Sequence, residues 1–283
     1  MEQLLTNEGM IRIGVFGGVL VAMMAIEALV PRRERTLGRG ERWPANLLIV
    51  AVDTVLARIL IPLPPVAVAL WAAENGIGLL NITDIPAAPA IAFSVIFLDL
   101  AIYAQHVVFH KVPILWRLHR MHHADTEIDV TTGIRFHPIE IILSLLIKIA
   151  LVLALGIPAV AVILFEVVLN ASAMFNHANI NLPLWLDRLL RTLIVTPDMH
   201  RVHHSWHPEE TDNNYGFCLS VWDRLFRTYA AQPRDGHDGM TIGINAFREE
   251  REQWLDRLLW QPFRKARPQE PAPQEFVEAP RED

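Results

Sequence analysis

The sequence predicts an all-α integral membrane protein, a bundle of four or five spanning helices with a cytoplasmic, histidine-rich helical cap. Three observations predict it. Apolar residues make up 52% of the chain, and they fall in long unbroken runs rather than at amphipathic spacing. Lys and Arg concentrate in the segments between alternate runs. Eleven of the twelve histidines lie between positions 106 and 207.

The first ten residues hold two Glu and no Lys or Arg, so they lack the basic start of a cleavable signal. Residues 11–30 therefore read as a retained span, followed by a strongly basic loop at 31–42. Residues 45–73 are apolar again but contain Asp53, Arg58, Pro62, Pro64 and Pro65. They form either one long kinked span or a span followed by an interfacial stretch. Residues 74–86 carry acids and no Lys or Arg, and a third run covers 87–108. Residues 139–155 and 159–175 form a fourth and a fifth run. Gly156, Ile157 and Pro158 between them signal a helical hairpin. The Lys/Arg bias places 31–42, 111–120 and everything after Arg188 in the cytoplasm, with the N-terminus and 74–86 outside. Five crossings satisfy these sides, and so do four crossings plus a re-entrant hairpin.

Four regions follow. They are an N-terminal transmembrane region (1–105), a histidine-box region (106–230) that includes the hairpin at 139–175, a cytoplasmic segment (231–266) and a Pro/Glu-rich disordered tail (267–283). Cys218 is the only cysteine, which excludes a disulfide framework, a cysteine zinc site and an iron–sulfur cluster within this sequence. No basic stripe stands out from a formal net charge of -6, so no nucleic-acid partner is expected.

The histidine spacing carries the chemistry. His106 and His110 are four apart at the end of the third run. His119, His122 and His123 form an H-x₂-HH box, and His200, His203 and His204 repeat it. His137 and His177 stand singly. On a helix, residues three and four apart share a face and can point at one centre. Each H-x₂-HH box can give one ligand to one ion and two to its neighbour, so two boxes frame a two-metal centre. Ten imidazoles are too many for one ion; divided evenly, they leave each of two octahedral ions one open position. Imidazole suits Fe, Zn, Cu and Ni, so ligand type alone does not choose the metal. His207 precedes Pro208 and has no counterpart in the other box, so it is set aside. His237 lies in a polar loop and is expected at the surface.

The blocks DLAIYAQHVVFH, PILWRLHRMHH, RFHPIE, FNHANI, TPDMHRVHH, NNYG and WDRLFRTY, spread over about 97–229, resemble the fatty acid hydroxylase/sterol desaturase superfamily. That resemblance implies a membrane di-iron oxidoreductase. Its ligands would be His106, His110, His119, His122, His123, His137, His177, His200, His203 and His204. It would use O₂ and externally supplied electrons to hydroxylate or desaturate a membrane lipid, sterol, fatty acyl or related. The one departure is Arg227, where the family usually has glycine. No G-x-G-x-x-G follows a strand and no cysteine cluster is present. Electrons from NAD(P)H should therefore arrive through a separate ferredoxin or cytochrome b₅-like donor. Asp99, about two helical turns before His106, is the leading candidate to accept a ligand's second ring N–H, and Asn213 is a weaker one. Asp53, Arg58, Lys148 and Glu166 are flagged as ionisable groups inside spans. Trp116, Trp185, Trp206 and Trp222 read as interfacial anchors.

Two other classes compete. A zinc hydrolase needs about three protein ligands, and H-E-x-x-H is absent. A His-rich metal transporter should place ligands near the bilayer midplane, whereas these boxes sit on cytosolic segments. A bis-His haem protein would show itself by its optical spectrum. Composition and the compact set of spans suggest a bacterial inner membrane, with the active site facing the cytoplasm.

Overall fold

The computed structural model describes residues 7–268. Its long helices are α1 (Glu8–Leu29), α2 (Arg39–Leu60), α3 (Pro65–Glu74), α4 (Ala87–Lys111), α5 (Pro113–His123), α6 (Pro138–Leu155) and α7 (Ala159–Asn176). Shorter ones follow: α8 (Leu184–Leu190), α9 (Pro197–His203), α10 (Pro208–Thr211), α11 (Val221–Leu225), α12 (Gly236–Gly239) and α13 (Leu255–Trp260). Among the described residues there is no strand, only isolated bridges. The expected tail lies outside the described residues from position 269 onward.

Proline opens α3, α5, α6, α9 and α10 at their first turns, where its missing N–H costs nothing and its fixed φ suits a helix. Between α2 and α3, Pro62 and Pro64 break the second apolar run, so 45–73 is two helices rather than one kinked one. Five segments are long and apolar enough to cross a membrane: Glu8–Leu29, Arg39–Glu74, Ala87–Lys111, Pro138–Leu155 and Ala159–Asn176. Large apolar side chains stand exposed on them, Ile13 at 76% and Leu29 at 80%, as lipid-facing positions should. α7 is the central helix and packs on α1, α3 and α4, while α6 packs on α2 and α3.

Segments 75–86 and 156–158 meet at one end of the bundle. There Gly78 (φ 95°) backs onto Gly156 (φ 68°), and a Cβ on Gly78 would lie 2.1 Å from the Gly156 nitrogen. Segments 30–38, 112–137 and 177–268 gather at the other end and build the cap. Its interior is polar. Arg42 reaches Asp125 with two N–H donors at 2.6 Å and Asp129 with a third at 2.7 Å, all fully buried. Glu27, near the end of α1, accepts from the Val130 and Asn179 backbone N–H groups at 2.7 Å each and so ties the span to the cap.

Two flagged ionisable groups neutralise each other inside the bundle. Glu166 of α7 pairs with Lys148 of α6 at 2.7 Å and with Arg12 of α1 at 2.8 Å. Arg227 sits at φ 61°, the left-handed region that favours glycine.

Candidate metal centre

Four elements converge on one site at the cap end. The last two turns of α4 carry His106 and His110. Pro113 then starts α5, which folds back on α4 and presents His119, His122 and His123 in its last two turns. His177 follows the last residue of α7. In α9, the Thr196 hydroxyl caps the helix by accepting from the Met199 N–H, and the helix projects His200, His203 and His204.

Nine imidazoles fall into two groups, each close enough to hold one ion: His106, His110, His119, His123 and His203 in one, His122, His177, His200 and His204 in the other. The boxes divide reciprocally. The first gives two ligands to the five-histidine group and one to its neighbour; the second gives one and two. Nε2–Nε2 separations in the first group are 3.0 Å (His106–His119), 3.1 Å (His106–His203) and 3.1 Å (His110–His123). In the second, His177 lies 3.1 Å from His122, 3.0 Å from His200 and 3.2 Å from His204.

The outer ring nitrogens show what these contacts are. His106 Nδ1 donates to the Tyr215 carbonyl at 2.7 Å, His203 Nδ1 to the Asn213 carbonyl at 2.7 Å, and His119 Nδ1 to Glu140 Oε1 at 2.7 Å. His122 Nδ1 donates to the Arg135 carbonyl at 3.2 Å and His177 Nδ1 to the Ala173 carbonyl at 2.7 Å. Each acceptor fixes the ring proton on Nδ1 and leaves a lone pair on Nε2. The pairs His106–His119, His106–His203 and His122–His177 therefore face lone pair to lone pair, which repels unless a cation lies between them. With metal–nitrogen bonds near ~2.1 Å, a right-angle pair of ligands is ~3.0 Å apart and a tetrahedral pair ~3.4 Å. The observed spacings of 3.0–3.2 Å fall within this range, so the donor set fits a bound metal ion such as iron.

Burial also keeps the rings neutral. Loss of water pushes His177 down to about 4 and His203 to about 3. Burial and the neighbouring imidazoles hold His122, His123, His200 and His204 well below the ordinary histidine range. Neutral imidazole is the form that binds metal.

His137 stands apart from both groups. Its Nδ1 accepts from the Ile139 N–H at 3.2 Å and its Nε2 donates to the Leu259 carbonyl at 3.2 Å, so it caps α6 with both nitrogens engaged. Asp99 does not reach an imidazole. It accepts from the Cys218 and Leu219 backbone N–H groups and from Trp222 Nε1 at 2.8 Å, which holds the 217–222 segment against α4. Asn213 supports His203 through its carbonyl, while its amide turns to the Glu209 carbonyl. His207 pairs with Asp235 away from the centre. His237, expected at the surface, is buried beside Asp198. The Trp116 ring lies 4.9 Å from His110 and 5.4 Å from His123. Sequence reasoning missed Glu140 and Asp212, which lies 3.5 Å from His110 Nδ1. Glu140 was visible only as an acid in the first turn of a helix, an ordinary place for one.

Residues 91–228 match the family model described as fatty acid hydroxylase. This match and the relatives below support a place in the fatty acid hydroxylase superfamily. All nine grouped histidines lie inside that fatty acid hydroxylase domain. Among its relatives, the ornithine lipid hydroxylase OlsE of Rhizobium tropici is 28% identical over 149 residues, 53% of this chain and 44% of that protein. The alkylglycerol monooxygenase of Homo sapiens is 27% identical over 154 residues, covering 53% of this chain and 32% of the other. That of Danio rerio is 28% identical over 172 residues, 58% and 35%. The chain thus spans less than half the length of the relatives it matches. No solved structure matches it.

Proposed function

We propose that the protein is an O₂-dependent di-iron oxidoreductase that hydroxylates or desaturates a membrane lipid. The observation that carries this reading is the convergence of nine imidazole Nε2 atoms in two groups, three pairs of them with lone pairs facing at 3.0–3.1 Å. His106, His110, His119, His123 and His203 would hold one iron ion, and His122, His177, His200 and His204 the other. Iron bound in this way supplies the oxidising power to break an unactivated C–H bond. The chain's own residues position and exclude. Glu140 and the carbonyls of Tyr215, Asn213, Arg135 and Ala173 lock five rings in one tautomer and orientation. Phe136 lies nearly parallel to His122 at 4.5 Å and Phe217 stands 5.2 Å from His106. Both pack with Ile102 and Leu169 of the spans, so an apolar wall faces the membrane side of the metal groups and keeps water from it.

The Lys/Arg bias supports a cap on the cytoplasmic side, and composition with the compact set of spans supports a bacterial inner membrane. There it meets a separate ferredoxin or cytochrome b₅-like donor that relays electrons from NAD(P)H. His122→Ala and His203→Ala should each lower bound iron and abolish lipid oxidation, while His137→Ala keeps both ions. Retained iron and turnover in both of the first two variants would sink the assignment.

A further inference from the structure

Below the five-histidine group, toward the membrane, the bundle holds a polar niche that metal binding does not use. Gln105 of α4 and Ser144 of α6 meet across the two spans, Nε2 donating to Oγ at 3.0 Å, and both are half-buried. Each lies on the helix face that serves the site. Ile102, Gln105 and Phe109 follow one another at helical spacing. Ile102 packs in the Phe136–Phe217 wall, and the Phe109 ring stands 6.1 Å from His119. On α6, Ser144 is one turn beyond Glu140, whose Oε1 holds His119. α4 runs toward the cap and α6 away from it, so the pair sits about one helical turn membrane-ward of His119.

Glu140 is 5% exposed, and its second oxygen, Oε2, is buried with no hydrogen-bond partner. A buried acceptor is costly unless something donates to it, and Asp53 of α2 likewise has a buried oxygen, Oδ1, with no partner. A single interhelical hydrogen bond contributes little to helix association, so stapling is a weak reason for the neighbouring pair.

We propose that Glu140, Gln105 and Ser144 form a recognition site for a hydrogen-bond-donating group of the lipid, a hydroxyl or an amide N–H. It selects lipids whose oxidised carbon lies within a few bonds of that group over those oxidised along a plain alkyl chain. The inference rests on the hydroxylase reading and deepens it. Glu140 accepts from the lipid donor, Gln105 and Ser144 exchange their mutual bond for bonds to its oxygen, and the chain beyond runs along Phe136 and Phe217. A site built to hydrogen-bond such a group rejects an analogue lacking it, because its own polar atoms are then left unpaired.

The test uses the iron-loaded full chain in lipid nanodiscs. Hexadecylglycerol, with two free hydroxyls, and its dimethyl ether, with none, compete against a fluorescent lipid. Wild type should prefer the free-hydroxyl lipid by about tenfold. Gln105→Leu and Ser144→Ala should each bring that ratio close to one by weakening hexadecylglycerol alone, with iron content and ether binding unchanged. A wild type without preference, or single variants that keep it, overturns the proposal. So does a loss of preference that comes only with loss of iron or of ether binding, which marks a structural staple. Lipid-dependent O₂ consumption with a reduced ferredoxin is read separately. A preference without O₂ consumption sinks the hydroxylase reading and leaves the recognition site standing.

Discussion

The two histidine groups are built from the same boxes but are not equivalent. The five-histidine group takes two ligands from a span and has carboxylates beside it: Glu140 on His119 and Asp212 near His110. His110 is its only half-exposed member. The four-histidine group is fully buried. Its outer contacts are carbonyls only, and His200 and His204 have Nδ1 atoms with no partner. A carboxylate on an imidazole raises its basicity and offsets the charge of an ion. The chain thus supplies five of an octahedron's six positions in one group, with a carboxylate bonded to one ligand, and four in the other, with carbonyls as the only bonded acceptors. The first group should hold its ion tightly, and the second should be the more exchangeable.

Deleting ligands tests this most strongly. His177→Ala leaves the second group three imidazoles, and bound iron should fall by half with lipid oxidation lost. His110→Ala leaves the first group four, the number its neighbour works with, and should keep more iron than His177→Ala. Metal analysis of the two purified variants makes the comparison, and equal losses would erase the asymmetry.

Glu140→Gln should have the next largest effect. It keeps the shape and removes the charge, so metal affinity of the five-histidine group should fall by roughly 10–100-fold. The four-histidine group should be untouched. A chelator titration resolving two classes of iron reads this, and a uniform weakening would show that the carboxylate serves both groups.

The smallest effect is on stability against pH, through the ion cluster beside the four-histidine group. Arg135, whose carbonyl holds His122, stands 3.6 Å from Asp125, and both Asp125 and Asp129 pair with Arg42. Burial alone would raise Asp129, but the Arg42 charge and the Thr131 and Trp43 hydrogen bonds outweigh it and bring it to about 2. A carboxylate depressed in the fold stabilises above its unfolded value, near 3.8, and that contribution is lost as pH falls from there through about 2. Unfolding followed from pH 5 downward should show this loss in wild type and a flatter profile in Asp129→Asn. Parallel profiles would mean that Asp129 carries no such linkage.

Much of the site was legible because its signals are local. Helical spacing alone brings His119, His122 and His123 to one end of one helix, and the same holds for His200, His203 and His204. Apolar run length marks the spans. What local pattern could not reveal is which ring faces which ion. His137 and His177 look alike as single histidines, yet one caps α6 and the other completes a metal group, because α7 ends at the cap centre and α6 begins at its edge. Asp99 shares a helix face with His106 by spacing, but the 217–222 loop, over a hundred residues away, takes its oxygens.

By itself, then, the sequence determined a helical membrane protein with histidines spaced to share metal centres, since hydrophobic length and residue spacing act within single elements. Only the tertiary structure decided the five-and-four division, the role of Glu140 and the niche beneath it. Those depend on contacts between helices distant in the chain, and a side chain's partner is set by what packs against it rather than by its neighbours in sequence.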